Sequence, residues 1–161
     1  MRLYMREKYL SFREDFNITD KTGLPVYRVK GRLLSIGRQL RVIDIRKNSE
    51  VAEVKQKVTA FMPRMDVYVE GDHKATVQKK LTILKPRYEI KALGWKVKGD
   101  VLKHNYRIID ADRQVIARIK KKFFTFTDTF QCDINDDQVD PVMVIAVILA
   151  IDLAMDSESE K

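Results

Sequence analysis

The sequence predicts an all-β protein with one central helix, namely a closed barrel of twelve antiparallel strands formed by six hairpin repeats around a buried C-terminal hydrophobic α-helix. Three observations support this fold class. An apolar pattern recurs six times, apolar and polar residues alternate within each repeat, and one apolar segment without alternation stands near the C-terminus. The chain has 161 residues, which suits a single domain.

Each repeat is marked by a large apolar residue, and successive markers are 20 to 25 residues apart. The markers are Tyr9, Leu33, Val58, Leu81, Val101 and Phe123. Four residues before each marker stands another apolar residue: Met5, Val29, Val54, Val77, Val97 and Ile119. Because alternate side chains of a strand share a face, both sets are predicted to face the interior.

Basic residues lie between these apolar positions. Of the 12 positions that precede a marker by one or three residues, ten carry Lys or Arg. They include Lys55, Lys57, Lys80, Lys120 and Lys122. Neighbouring side chains of a strand point in opposite directions, so the pattern predicts an outward basic band.

A second alternating segment follows each marker, beginning at Phe16, Leu40, Met65, Tyr88, Tyr106 and Phe130. Turn residues such as those at 20–23 and 70–72 separate the segments, so each repeat is predicted to be a β-hairpin. Twelve sequential strands with one apolar face tend to close, because closure removes the exposed edges.

The apolar segment from Val142 to Ile151 has no polar face, so as a helix it must be buried on all sides. Asp140 and Pro141 are a typical N-cap and first helical residue. A twelve-stranded barrel is too wide to be filled by its own side chains, so the helix is predicted on the barrel axis. The domain is expected to span residues 1–155, with the helix at about 141–155 and an acidic tail at 156–161.

The segment is also too short to span a bilayer. The first ten residues are charged and lack the apolar region of a secretory signal, and Cys132 is the chain's one cysteine. These features predict a cytoplasmic protein.

Four segments resemble the LURP-one-related family: SFREDFNI at 11–18, LGWKVKGD at 93–100, TFTDTF at 125–130 and VILAID at 147–152. The resemblance implies the tubby-like C-terminal fold, a twelve-stranded barrel around a hydrophobic helix that is also assigned to phospholipid scramblases. The short chain looks like the bacterial branch of the family, whose members have no settled function.

The charge distribution favours an anionic partner. The net charge is +8, and residues 133–161 hold eight acids and one base, which leaves +15 on residues 1–132. In an up-and-down barrel the loops within the hairpins share one end, and there they carry apolar residues beside bases. The apolar set is Phe12, Phe61, Leu84 and Phe126, and the nearby bases are Arg13, Arg64 and Arg87.

Apolar tips beside bases suit an anionic phospholipid or membrane surface, which is the leading hypothesis for the ligand. The resemblance implies the same ligand class, because tubby-like proteins bind phosphoinositides through basic residues on the barrel. The candidate ligand residues are Lys55, Lys57, Lys80, Lys120, Lys122, Arg13, Arg64 and Arg87. The protein is then expected to be peripheral at a membrane.

Two alternatives stay open. The apolar loops could instead cap the barrel while the basic band is solvated, which suits a protein-interaction or scaffold barrel without lipid binding. A scramblase-like lipid transporter would need the helix to leave the barrel and insert in the bilayer. Nucleic acid is disfavoured, because the outward positions supply few aromatic residues for stacking.

No catalytic motif is present: the chain lacks a glycine-rich phosphate loop, a serine elbow and a paired-histidine motif, so we expect neither an enzyme nor a cofactor. The acidic segment 133–140 begins like a calcium-binding EF-hand loop. Gln138 and Val144 replace the glycine and glutamate that such a loop needs. Acids before a helix are explained by its dipole, so no metal site is predicted.

Overall fold

The computed structural model describes residues 1–6, 15–35, 37–58, 62, 64–80, 82–84, 87–122 and 129–159. Within these ranges it contains twelve strands and one helix. The elements are β1 (Arg2–Arg6), β2 (Phe16–Asp20), β3 (Pro25–Leu34), β4 (Gly37–Asp44), β5 (Ser49–Lys57), β6 (Arg64–Val69), β7 (Asp72–Lys80), β8 (Arg87–Lys91), β9 (Lys96–Asp100), β10 (Asn105–Ile109), β11 (Val115–Lys122), β12 (Thr129–Ile134) and α1 (Pro141–Ser159).

The strands form one closed antiparallel barrel in which each strand pairs with its neighbours in sequence. Closure is made by β1 and β12, where Leu3 lies opposite Cys132 and Met5 lies opposite Phe130. The predicted fold class, a closed barrel of twelve antiparallel strands with one C-terminal helix, is confirmed.

Alternation along the strands separates the core from the outer wall. In β4, for example, Leu40 and Val42 are fully buried, whereas Arg41 between them faces outward and pairs with Glu50 on β5. The same alternation buries the predicted inward residues Met5, Val29, Val54, Val77 and Ile119. The inward residues of the strands therefore belong to the hydrophobic core, as the alternating pattern predicts.

Helix α1 lies inside the barrel and packs against β5, β6 and β7. It begins as predicted, because the Asp140 carboxylate accepts a hydrogen bond of 3.0 Å from the Val142 amide. Residues 144–151 are completely buried. Within the described residues, no helix combines the length and the apolar character that a membrane crossing requires.

The helix continues to Ser159, past the expected end at about residue 155. Its last turns carry two carboxylates that meet residues of the barrel. Arg38 of β4 points inward and forms an ion pair with Asp156. His104, stacked on Phe130, has its Nε2 at 3.4 Å from a carboxylate oxygen of Asp152. These contacts join the C-terminal half of the helix to the barrel.

Two predicted inward markers are exposed, and this prediction was wrong for them. Leu33 is 75% exposed and Val58 is 58% exposed, whereas the marker Val101 is buried. Leu33 is the second-last residue of β3 and lies opposite Arg38, the residue that pairs with Asp156 of the helix. An inward strand position is buried only where the helix or a loop covers it. Tyr9, Leu81 and Phe123 lie outside the described residues.

Candidate functional site

The predicted basic band contains a buried acid that sequence analysis had not identified. Asp66 lies on the outer face of β6 yet is only 2% exposed. Lys57 Nζ is 3.1 Å from one of its carboxylate oxygens, and Arg64 Nε is 3.7 Å from the other. Two of the predicted lipid-binding residues thus cover Asp66 from the neighbouring positions of β5 and β6.

The Asp66 carboxylate has two more neighbours on β7. The Thr76 hydroxyl donates a hydrogen bond of 2.8 Å to it, and His73 Nε2 lies 3.5 Å away. Burial raises the pKa of Asp66, but the hydrogen bonds from Thr76 and Lys57 and the charges of Lys57 and Arg64 outweigh burial and hold the pKa below its ordinary value. This cluster therefore has a structural role on the wall of β5, β6 and β7.

Two further lysines of the band are also paired with acids. Lys55 Nζ lies 3.2 Å from Glu53 and 5.3 Å from the centre of the Tyr68 ring. Lys80 Nζ lies 3.1 Å from Glu89 on β8. Ion pairs on a solvated wall reduce the charge that the wall offers to an external anion.

The remaining predicted residues divide between β11, the β7–β8 side of the barrel, and segments outside the described ranges. Lys120 faces Gln131 across β11 and β12, and Lys122 is half-buried near the end of β11. Leu84 and Arg87 both line a groove described below. Arg13, Phe12, Phe61 and Phe126 lie outside the described residues.

The groove exists because β8 and β9 pair weakly. Among the described residues their register contains one pair, Glu89 with Lys96, whereas β3 and β4 pair at eight positions from Tyr27 to Leu34. Beyond that one pair, no further β8–β9 pairing is present among the described residues. This seam is therefore the most weakly paired part of the closed barrel in the described ranges.

A groove of about 1120 Å³ follows this seam, and we refer to it as the seam groove. Its apolar lining residues are Ile83, Leu84, Tyr88, Ile90, Trp95, Val97 and Val101. Four basic side chains also line it, namely Lys80, Arg87, Lys96 and Lys98. Ile83 and Leu84 are the most exposed of the large hydrophobic residues in the described ranges, at 101% and 92%.

Next to the seam groove, cations occupy facing positions on three strands. Lys98 of β9 lies opposite Arg107 of β10, and Arg107 lies opposite Arg118 of β11. Within the described ranges, none of these three has an acidic side chain at ion-pair distance. Like charges that face each other across strands are destabilising. On its β12 side the row ends at an acid, because Arg118 lies opposite Asp133, which is itself ion-paired with Arg2.

Two depressions flank this row. One, of about 590 Å³, includes Lys96, Lys98, Arg107 and Arg113 among its lining residues, and the other, of about 240 Å³, includes Lys98, Arg107, Arg118 and Lys120. We call these residues together the cationic patch: Lys96, Lys98, Arg107, Arg113, Arg118 and Lys120. Asp110 is the acid that lines the first depression. The patch and the seam groove adjoin through Lys96 and Lys98.

Sequence analysis identified Lys120 of this patch as a ligand candidate but not its neighbours. Arg107 was visible in the sequence as the polar residue between Tyr106 and Ile108. Its basic character is shared by Arg41 and differs from the Asn, Asp, Glu and Gln at the matching position of the other four repeats. That difference was the available signal, but only the register of three strands brings Lys98, Arg107 and Arg118 together.

The acids of residues 133–140 have separate partners. Asp133 lies 2.5 Å from Arg2 Nε, Asp136 lies 2.5 Å from the N-terminal amine, and Asp140 caps α1. Burial raises the pKa of Asp133, but hydrogen bonds from Arg2 and Gln131 outweigh it and lower the pKa. Within the described ranges, no three acidic, histidine or cysteine side chains are grouped as a metal site requires.

The fold and its outer wall define a single barrel with an enclosed helix and a cationic face. A sequence profile of the LURP-one-related family matches residues 1–152, so the chain belongs to this family, as its motifs predict. The chain is 25% identical over 159 residues to YxjI of Bacillus subtilis (strain 168), which is described as an uncharacterized protein. That alignment covers 99% of this chain and 96% of YxjI.

The fold is also similar to the X-ray structure of a protein from Arabidopsis thaliana, with a TM-score of 0.65. The two chains are 15% identical, and the match covers 99% of this chain and 91% of the plant protein. At that identity the likeness concerns the fold alone.

Proposed function

We propose that this chain is a non-catalytic binding module for anionic phospholipid surfaces, acting in the cytoplasm at the periphery of a membrane. The observation that carries the proposal is the row formed by Lys98, Arg107 and Arg118, which has no acidic partner at ion-pair distance in the described ranges. Each base held near an anionic membrane contributes about 1 kcal/mol to binding. The row therefore contributes about 3 kcal/mol, and the other bases of the cationic patch add to this attraction.

The apolar residues beside the patch fit the same role. Ile83 and Leu84 are almost fully exposed where they line the seam groove, next to Arg87 and close to Lys98. Apolar side chains that enter the acyl boundary add to the attraction of the bases for the head groups. The resemblance to tubby-like and scramblase-like proteins supports a lipid ligand as well.

The proposal shifts the binding face relative to the sequence prediction. Lys55, Lys57, Arg64 and Lys80 are paired with acids, so we assign them to the wall rather than to the ligand. Lys120 and Arg87 stay in the proposed face, because the first belongs to the cationic patch and the second lines the seam groove.

A protein-interaction barrel is the second candidate function. The open edges of β8 and β9 favour it, because an extended segment of a partner can pair with an unpaired strand edge. A scramblase-like transporter is the weaker reading. It would require Asp152 to leave the barrel with the helix and the ion pair between Asp156 and Arg38 of β4 to break.

Vesicle flotation tests the proposal. At low salt we expect binding to phosphatidylcholine vesicles that contain phosphatidylglycerol, no binding to phosphatidylcholine alone, and weaker binding as salt increases. The triple variant Lys98→Glu/Arg107→Glu/Arg118→Glu should lower the partition coefficient by at least about 100-fold.

The matched control is Arg28→Glu/Lys30→Glu/Arg32→Glu on β3, which lies six strands from β9 in the barrel. It changes the net charge by the same amount, so it reproduces the long-range effect and leaves the patch intact. We expect it to lower partition by less than about tenfold. Equal losses in the two variants would show that the patch is not the binding face, and equal binding to neutral and anionic vesicles would refute the proposal.

A further inference from the structure

We propose that the seam groove holds one acyl chain of an anionic lipid, with the anionic head group on Lys96 and Lys98. This inference rests on the proposed function, because it names the part of the lipid that the groove contacts. The gap between β8 and β9 thereby provides the binding site for the acyl chain, which a fully paired barrel wall could not provide.

The position and size of the groove are the first argument. It lies where β8 and β9 are joined, among the described residues, by the single pair of Glu89 and Lys96, and its lining includes Trp95, Leu84 and Val101. Its volume of about 1120 Å³ is slightly above the range of about 300–1,000 Å³ that is usual for small-ligand sites. The space is therefore large enough for an acyl chain.

The chemistry of the lining is the second argument. Tyr88 and Ile90 form a buried floor, and Val97 and Trp95 are half-buried along the edge of β9. Ile83, which also lines the groove, is fully exposed and adds to this apolar surface. A hydrocarbon chain laid along this surface removes its own apolar area and that of the protein from water at the same time.

Gly99, which lines the groove, allows β9 to lie close to β10. Gly99 has a φ of +117°, and a Cβ atom on it would lie 2.6 Å from the Asn105 carbonyl oxygen of β10. A side chain is therefore excluded at this point of the lining. The neighbouring positions Lys98 and Val101 supply the charge and the apolar contact instead.

The charges at the edge are the third argument, because they select an anion. Lys96 and Lys98 belong to both the groove and the cationic patch, and Arg87 adds a third base on the opposite strand. Glu89 is the acidic residue of the lining, and it is paired with Lys80. Because the bases at this edge outnumber the acids, a carboxylate or phosphate can form charge-assisted hydrogen bonds with them. A neutral head group lacks this charge and should bind more weakly.

Trp95 provides a direct test, because it is the chain's one tryptophan and lies in the groove. Saturated fatty acids of increasing length that carry a doxyl label on the chain are titrated below their micelle concentrations. We expect quenching of the Trp95 fluorescence, with an affinity that increases about fourfold for each added methylene until the groove is full. Fatty alcohols of the same length should bind at least tenfold more weakly.

Two matched variants separate the groove from general hydrophobicity. Ile83→Ser/Leu84→Ser removes exposed apolar residues of the groove, and we expect it to weaken fatty acid binding at least tenfold. Leu33→Ser/Leu34→Ser removes two exposed leucines at the end of β3 and should bind as the parent does. Both pairs lie outside the packed core, so both variants should keep the parent's thermal midpoint.

The outcomes of the two proposals can be told apart. Flotation with anionic vesicles but no quenching of Trp95 by monomeric fatty acid would overturn the acyl-chain site and leave the surface function standing. Loss of flotation as well would overturn both. Quenching that is equal for the alcohol and the acid, or equal in the two serine variants, would contradict the assigned site. The assigned site would also be contradicted if an extended acidic peptide displaced the labelled fatty acid and fatty acid length had no effect on affinity. That result would identify a partner strand as the occupant.

Discussion

Arg38 of β4 reaches into the barrel and forms an ion pair with Asp156 in the last turns of α1. The guanidinium is almost completely buried, whereas the carboxylate is partly exposed. The backbone amide of Arg38 also donates a hydrogen bond of 3.1 Å to Gln56 of β5. This arrangement joins the helix to two strands at the end where the apolar core finishes.

We predict that Arg38→Met lowers the free energy of unfolding by about 1–3 kcal/mol, because a buried pair loses its cation. Urea denaturation followed by circular dichroism measures the change. Arg41→Met is the control, since Arg41 pairs with Glu50 on the exposed face and should cost at most about 1 kcal/mol. In the double variant Arg38→Met/Asp156→Asn the losses should not add. Equal losses for Arg38 and Arg41, or additivity, would contradict the assigned role.

The buried helix predicts a large effect of cavity formation. Leu149 is completely buried in the middle of α1, so Leu149→Ala should lower the free energy of unfolding by about 2–5 kcal/mol. Met143, which is half-buried in the first turn, is the control, and Met143→Ala should cost less. The measurement is again urea denaturation. A similar, small loss for both would mean that the helix does not lie inside the barrel.

The Asp66 cluster predicts an acid dependence of stability. A carboxyl with a lower pKa in the folded state adds stability above the unfolded pKa of about 4, and this stability disappears as the pH falls through the folded pKa. We therefore expect the free energy of unfolding to decrease below about pH 4. Asp66→Asn should flatten part of this decrease and lower stability near neutral pH by about 1–3 kcal/mol.

Thermal unfolding followed across the acid range gives both quantities. Asp72→Asn is the control, because Asp72 is an exposed carboxylate on the same wall and lies outside the Asp66 cluster. An acid dependence in the Asp66 variant that matches the parent's would show that Lys57, Arg64 and Thr76 do not stabilise the ionised carboxylate.

Cys132 predicts a thiol that does not react in the folded protein. Burial, with the nearby charges of Asp133 and Asp152, raises its pKa to about 12, so the thiolate is scarce at mildly alkaline pH. A colorimetric disulfide reagent should label it only after the protein unfolds. Leu102→Cys in a Cys132→Ser background places a thiol at an exposed position and should react at once. Rapid labelling of the parent in the absence of denaturant would show that the β12 wall opens.

Much of the fold could be predicted from the sequence, because strand alternation and an apolar helix are local patterns. Val29 and Val54 are buried as the repeat indicates, and Asp140 caps the helix as its position before Pro141 indicates. Burial of Leu33 could not be judged in this way, because it depends on where the helix and the loops end. The family was recognisable from its motifs for the same local reason.

The candidate site was less accessible, because it depends on register between strands. The basic band was visible along each first strand, but the acid that neutralises Lys57 belongs to the next strand. The row of Lys98, Arg107 and Arg118 depends on turn lengths and on the irregularity between Ile108 and Ile109. The separation of β8 from β9 likewise has no marker in the residue pattern.

The most direct test of the account is hydrogen–deuterium exchange with and without vesicles that contain phosphatidylglycerol, read by peptide mass spectrometry. Anionic lipid at the proposed face should slow exchange along β9 and β10 and at residues 82–84, and should leave β3, β4 and β5 unchanged. Slower exchange confined to the β5–β7 wall, or no change anywhere while the vesicles are present in excess, would contradict the assignment of this face to an anionic membrane.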